Sequence, residues 1–170
     1  MTHRFMSQPS SVKKYRLLVL IAGVVVVFDQ ISKFIIVKSV PLFHSITVIP
    51  GFFNITHIRN PGGAFGFLAG SHSSLQHLIF LFVSSAAIGL IFYFFKKTPY
   101  SYRFLSSALA LVFGGAIGNM IDRIRMGSVV DFLDFYVGNL HWPAFNIADS
   151  AVSIGMIIFL FYLVFKKLPE

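Results

Sequence analysis

Four apolar stretches, at about 17–39, 75–95, 104–121 and 148–165, dominate this 170-residue chain. Each is close to the ~20 residues that a helix needs to cross the hydrocarbon of a bilayer. A segment in lipid must satisfy its own backbone hydrogen bonds, so the stretches are expected to be helices. With 56% hydrophobic residues, 12% charged residues and 21 Phe, the chain is too apolar for a soluble domain of this size. The expected fold is an all-α integral membrane protein of four transmembrane helices, one membrane-embedded domain over residues 1–170. The first stretch follows Lys13, Lys14 and Arg16, as the apolar core of a signal peptide would. It runs on through Asp29, Gln30 and Lys33 into more apolar residues without a small-residue cleavage pattern, so it is read as a retained helix.

The net charge of +8 is distributed as a membrane protein's would be. Arg4, Lys13, Lys14, Arg16, Lys96, Lys97, Arg103, Lys166 and Lys167 all flank helix ends that share one side if four spans alternate. The positive-inside rule makes that side cytoplasmic, together with the N and C termini. Lipid rather than nucleic acid is therefore the expected partner of the basic residues. The absence of cysteine from the sequence excludes disulfides, thiol nucleophiles and thiolate metal sites. There is no HExxH, and the six histidines lack the i, i+4 spacing of a helical metal pair, so neither a metal nor another cofactor is expected.

Two segments face the outer side, 40–74 and 122–147. In the first, HSITVIPGFFNITHIRNPGGAFGF alternates β-branched or aromatic residues with polar ones and is broken at Pro50-Gly51 and Asn60-Pro61-Gly62-Gly63, which predicts a small β-rich element between helices one and two. Phe52, Phe53, Phe65 and Phe67 are candidate interfacial anchors. The second segment carries Phe132, Phe135, Tyr136, Trp142 and Phe145 with Gly127 and Gly138, and is expected to lie along the interface as an aromatic lid between helices three and four.

All five aspartates fall on that same side: Asp29, Asp122, Asp131, Asp134 and Asp149. An ionisable group near hydrocarbon costs at least ~2.5–3.5 kcal/mol on insertion scales and is by default paired or functional. Asp29 and Lys33, four apart, suit a structural ion pair on one helix face. Asn119, Asp122 and Arg123 share one side of helix three, where Arg123 is either functional or a snorkelling anchor partnered by Asp122. Asp134 reads as a solvated loop charge. Asp149 falls in the first turn of helix four, where a carboxylate stabilises the helix whatever else it does. If helices three and four are neighbours, Asp149 can also meet Asp131, and two acids sharing one proton are the arrangement of an aspartic hydrolase. An ion relay would instead spread its carboxylates through the depth of the bilayer, and a scaffold subunit would use GGAIG (114–118), a GxxxG packing motif, as its contact.

Five motifs in order carry a resemblance. FDQISK (28–33) resembles a D-Q-x-x-K element, RNPGGAFG (59–66) an N-x-G-x-A-F element, and GGAIGNMIDR (114–123), VVDF (129–132) and FNIADS (145–150) the remaining elements of the bacterial lipoprotein signal peptidases, or type II signal peptidases. The resemblance implies an aspartyl endopeptidase of the bacterial cytoplasmic membrane that cuts diacylglyceryl-modified prolipoproteins before the lipidated cysteine, with its active site near the outer face. It assigns Asp131 and Asp149 as the catalytic pair and Asn60, Gly62, Asn119, Asp122, Arg123 and Asn146 to substrate binding or support. Asp29 and Lys33 would brace helix one. It further implies a monomer whose cleft takes globomycin-type inhibitors.

Overall fold

The structure, a computed structural model, describes residues 9–62 and 74–166. Phe65, Phe67, His72, Arg4 and Lys167 lie outside these residues. Four helices form: α1 (Pro9–Ser39), α2 (Ser74–Lys97), α3 (Arg103–Met126) and α4 (Ile147–Phe161), the last continuing as a π-helical turn, Tyr162–Lys166. All four are long and apolar enough to cross a membrane, as the sequence predicts, and the chain is a multi-pass membrane protein.

Helix α3 is the hub, packing against α1, α2 and α4. Its GGAIG stripe explains how two helices approach it at once. A Cβ on Gly114 would lie 2.8 Å from Ala22 Cα of α1, and one on Gly115 would run into the Ala148 carbonyl oxygen of α4. One on Gly118 would sit 2.6 Å from Asp29 Oδ2. Helix α4 reciprocates, since a Cβ on Gly155 would be 2.5 Å from the Ala108 oxygen of α3. Close backbone contact replaces the hydrophobic driving force that lipid cannot supply.

At the end of the bundle away from the aspartates, Leu18, Phe95, Leu105 and Leu109 form a buried cluster. Lys14 is buried there too. Its Nζ donates to the Lys96 and Thr98 carbonyls at 3.0 and 2.6 Å and lies 4.9 Å from the Phe95 ring centroid. The ammonium thus satisfies orphan carbonyls at the C-terminus of α2.

At the other end lies a four-stranded antiparallel sheet, in the order β1 (Ser45–Ile49), β2 (Phe53–Asn60), β3 (Val129–Val137), β4 (Leu140–His141). The expected β-rich element after helix one is β1 and β2. Within the segment read as an interfacial lid, Val129–Val137 is β3, an interior strand that pairs with β2 across the two intervening helices. Its valines and aromatics favour a strand, whereas Asp131 and Asp134, three apart, break the two-residue alternation that announces one. Asp134 is correspondingly not a solvated loop charge. It is buried, accepts a hydrogen bond from Asn54 Nδ2 at 2.9 Å on the neighbouring strand, and lies 2.8 Å from His141 Nδ1. Phe53 is half-buried, with its ring centroid 4.7 Å from that of Phe135, while Phe52 stays 49% exposed.

A register shift between Ile55 and Ile58 puts an extra residue of β2 opposite β3: Ile55 pairs with Leu133 but Ile58 pairs with Asp131. Such a bulge exchanges the faces of everything beyond it. Asn60 consequently shares a face with Asp131.

Gly115→Val should force α3 and α4 apart, lowering stability in detergent by about 1–3 kcal/mol, the usual range for overpacking. Gly89→Val on α2, where a Cβ meets nothing within 4 Å, should unfold close to the unmodified protein in the same thermal scan. Equal melting of the two variants would contradict this packing.

Candidate active site

Strand β3 and the N-terminus of α4 deliver the two acids. Gly127, in the left-handed region at φ 71°, caps α3 by donating its N–H to the Arg123 carbonyl at 2.9 Å and turns the chain into β3. Only a residue without a Cβ adopts this conformation readily. The return into α4 is fixed by Phe145. Its carbonyl accepts from Phe132 N and Leu133 N at 3.0 and 2.8 Å, and its N–H donates to the Leu133 carbonyl at 3.1 Å. Asn146 is thereby carried to the side of β3 as the N-cap of α4.

Asn146 joins the two carboxylates. Its Oδ1 accepts from Asp149 N at 2.9 Å while Asp149 Oδ2 accepts from Asn146 N at 3.3 Å, a reciprocal capping box. Its Nδ2 donates to Asp131 Oδ1 at 2.7 Å. Asp149 is thus the first-turn acid expected from the sequence, and the same residue that caps the helix also holds Asp131.

Each carboxylate has a second amide donor. Asn119 Nδ2 of α3 reaches Asp149 Oδ1 at 2.7 Å, and Asn60 Nδ2 of β2 reaches Asp131 Oδ2 at 3.1 Å. Gly62 touches neither acid but sets Asn60, donating its N–H to Asn60 Oδ1 at 2.9 Å. With φ at 111° and the Phe80 ring 2.7 Å from where a Cβ would stand, this position admits glycine alone without rearrangement.

Behind the pair lies a buried ionic layer. Lys33 Nζ is 2.9 Å from Asp29 Oδ2, and equally 2.9 Å from Asp122 Oδ2. The expected helical pair is therefore a triad, and Asp122 is the partner of Lys33 rather than of Arg123. Gln30, the Q of the D-Q-x-x-K element, to which the sequence reading gave no role, donates to Asp29 Oδ2, the Gly118 carbonyl and Asp122 Oδ1 at 3.0–3.1 Å. Its place in that element, beside Asp29, was the signal the sequence offered. Among the described residues Arg123 makes a long contact, Nη1 to the Asn119 carbonyl at 3.4 Å, and its buried Nε has no hydrogen-bond partner.

Burial, and next the charge of Asp149, push the Asp131 carboxyl up to about 6 from its ordinary 3.8; the Asn60 and Asn146 hydrogen bonds and Lys33 oppose them. The folded state therefore binds the Asp131 proton more tightly than the unfolded chain does. Its ionisation destabilises the fold above about pH 6, and this penalty vanishes as pH falls toward 4. Asp131→Asn should raise the thermal midpoint at pH 8, by no more than the equivalent of about 3 kcal/mol, and the gain should shrink steadily between pH 6 and pH 4. A gain independent of pH would contradict the assigned environment.

The sequence profile of signal peptidase (SPase) II matches residues 21–165. The chain is 49% identical to a lipoprotein signal peptidase of Desulforapulum autotrophicum over 90% of this chain and 94% of that protein. It is also 49% identical to one of Syntrophus aciditrophicus, over 91% and 97%. Among solved structures, a bacterial membrane enzyme determined by the in meso method at 2.3 Å resolution superposes with a TM-score of 0.76 at 40% identity, covering 86% of this chain and 87% of that one. With its profile matched across all four helices and the sheet, the chain belongs to the signal peptidase II family.

Proposed function

We propose that Asp131 and Asp149 are the water-activating pair with which this protein cuts diacylglyceryl-modified prolipoproteins, N-terminal to the lipidated cysteine. As a signal peptidase II it is an aspartic-type peptidase that removes signal peptides from prolipoproteins. The observation that carries the assignment to these two acids is Asn146, which hydrogen-bonds both carboxylates from the N-cap of a membrane helix. Two acids brought this close cannot both ionise cheaply, and one of them keeps its proton to a higher pH than an isolated aspartate does.

The ionised member takes a proton from a bound water, whose oxygen attacks the scissile carbonyl. The protonated member gives its proton to the carbonyl oxygen. In the collapse of the tetrahedral intermediate the C–N bond breaks, and a proton passes to the departing amine of the lipidated cysteine. Arg123, with a buried donor unused, is suited to a substrate carbonyl. The acyl chains stay in lipid between the helices while the extended peptide lies against the sheet. The β3–β4 hairpin, where Val137, Leu140 and Trp142 are 70, 81 and 69% exposed, is the part of the second outer segment suited to act as a lid.

The basic residues at the opposite ends of the helices favour termini in the cytoplasm and the acids at the outer face of the bacterial inner membrane. Both acids come from one chain, in keeping with a working monomer, and a globomycin-type inhibitor would occupy the same cleft.

Purified protein in detergent should shorten a diacylglyceryl-modified prolipoprotein and leave the unlipidated precursor uncut. Asp131→Asn and Asp149→Asn should each reduce that cleavage by at least ~10²-fold while the protein still inserts and folds. A fully active Asn variant at either position would remove this pair from the mechanism.

A further inference from the structure

Lys33 is 2% exposed and hydrogen-bonds neither Asp131 nor Asp149, yet the donors around the pair are oriented from it. An ammonium can only donate. Besides Asp29 and Asp122, it donates to Asn119 Oδ1 at 2.8 Å. That contact fixes the amide of Asn119 with its oxygen toward Lys33 and its NH2 toward Asp149 Oδ1, 2.7 Å away. Reversed, the amide would set N–H groups against an ammonium and an oxygen against a carboxylate. A second group of fixed polarity acts from the other side. The Asp149 backbone N–H, also only a donor, takes Asn146 Oδ1, so that Asn146 Nδ2 faces Asn119 Oδ1 at 3.2 Å and Asp131 Oδ1 at 2.7 Å.

We infer that Lys33 is a positioning residue for cleavage: through the amide of Asn119 it holds an N–H donor on Asp149 and so makes Asp149 the ionised, water-activating member of the pair. The inference rests on the pair proposed above. Each acid accepts two N–H groups, Asp149 from Asn119 and the Asn146 backbone and Asp131 from Asn146 and Asn60, so with the Asn119 donor held in place the first turn of α4, whose dipole favours a carboxylate, tips the balance to Asp149. Asp131, on a strand, has no helix terminus behind it. The charged groups facing the pair are Asp29 and Lys33 from α1 and Asp122 and Arg123 from α3, while β2 contributes the neutral Asn60.

The test is a double-mutant cycle on lipidated prolipoprotein cleavage. Lys33→Met combined with Asp122→Asn removes the ammonium and one buried acid together, so the exchange is charge-neutral. It should lower kcat roughly 10²-fold, leave KM within about 2-fold, since Lys33 is buried behind the pair, and move the acid limb of the pH–rate profile upward. In an Asn119→Ala background the same exchange should move the acid limb no further, because its route to the Asp149 carboxylate is already cut. Acid-limb shifts that add across the cycle, an unmoved acid limb, or a raised KM with normal kcat would overturn the inference. Should the exchanged protein fail to fold, Lys33→Arg decides: it keeps the positive charge but displaces the donor from Asn119, and normal melting with full kcat would overturn the inference, whereas normal melting with reduced kcat supports it. Unmodified protein that leaves the lipidated precursor uncut would instead reject the proposed function itself.

Discussion

The ammonium of Lys33 lies between the carboxylates of Asp29 and Asp122, all three buried where α1 meets α3. Each of the two acids has a second duty. Asp29 Oδ1 accepts the N–H of Ala148 at 3.0 Å, and Asp122 Oδ2 accepts that of Val130 at 3.2 Å. Ala148 immediately precedes Asp149, and Val130 immediately precedes Asp131. The ion triad thus grips the backbone one residue ahead of each acid of the pair and sets the spacing between strand and helix. Removing one partner of a buried ionic group typically costs about 3–5 kcal/mol, because the charge left behind has no water to turn to. The arrangement also needs space, which α3 supplies at Gly118, where any side chain would displace the Asp29 carboxylate.

A peptidase for the lipidated substrates proposed above has to combine two environments. The acyl chains of such a substrate favour lipid, whereas hydrolysis needs a polar site reached by water. The chain meets both demands by putting its polar network at one end of an apolar bundle and roofing it with a sheet. Asn60, Asn119 and Asn146 supply the hydrogen bonds that let the two carboxylates be buried. Neutral amides do this without fixing both acids as anions, as further cations beside the pair would.

The helices were legible because the bilayer imposes a length that composition reveals directly. The convergence of Asp131 and Asp149 was legible from a different asymmetry, the confinement of all five aspartates to one side. The sheet was only half legible. Its first two strands alternate openly, but β3 hides its period behind Asp131 and Asp134, which belong to opposite faces. The partners of Asp134, Asn54 and His141, come from other strands, and no local pattern announces them. Likewise, the bulge that turns Asn60 toward Asp131 is a property of the pairing between two strands about 70 residues apart, not of either strand's own sequence. Lys33 was visible as the i+4 partner of Asp29. Its reach to Asp122 and Asn119 depends on the closeness of α1 and α3, which the glycines of α3 permit.

The central claim is that Asp131 and Asp149 form one buried, coupled pair. Infrared titration of the membrane-embedded protein with isotope-labelled aspartate, from about pH 4 to pH 8, tests it most directly. A protonated carboxyl signal should persist above the ordinary aspartate range, be lost near pH 6, and be missing from Asp131→Asn. Complete ionisation of every aspartate by about pH 5 would contradict it.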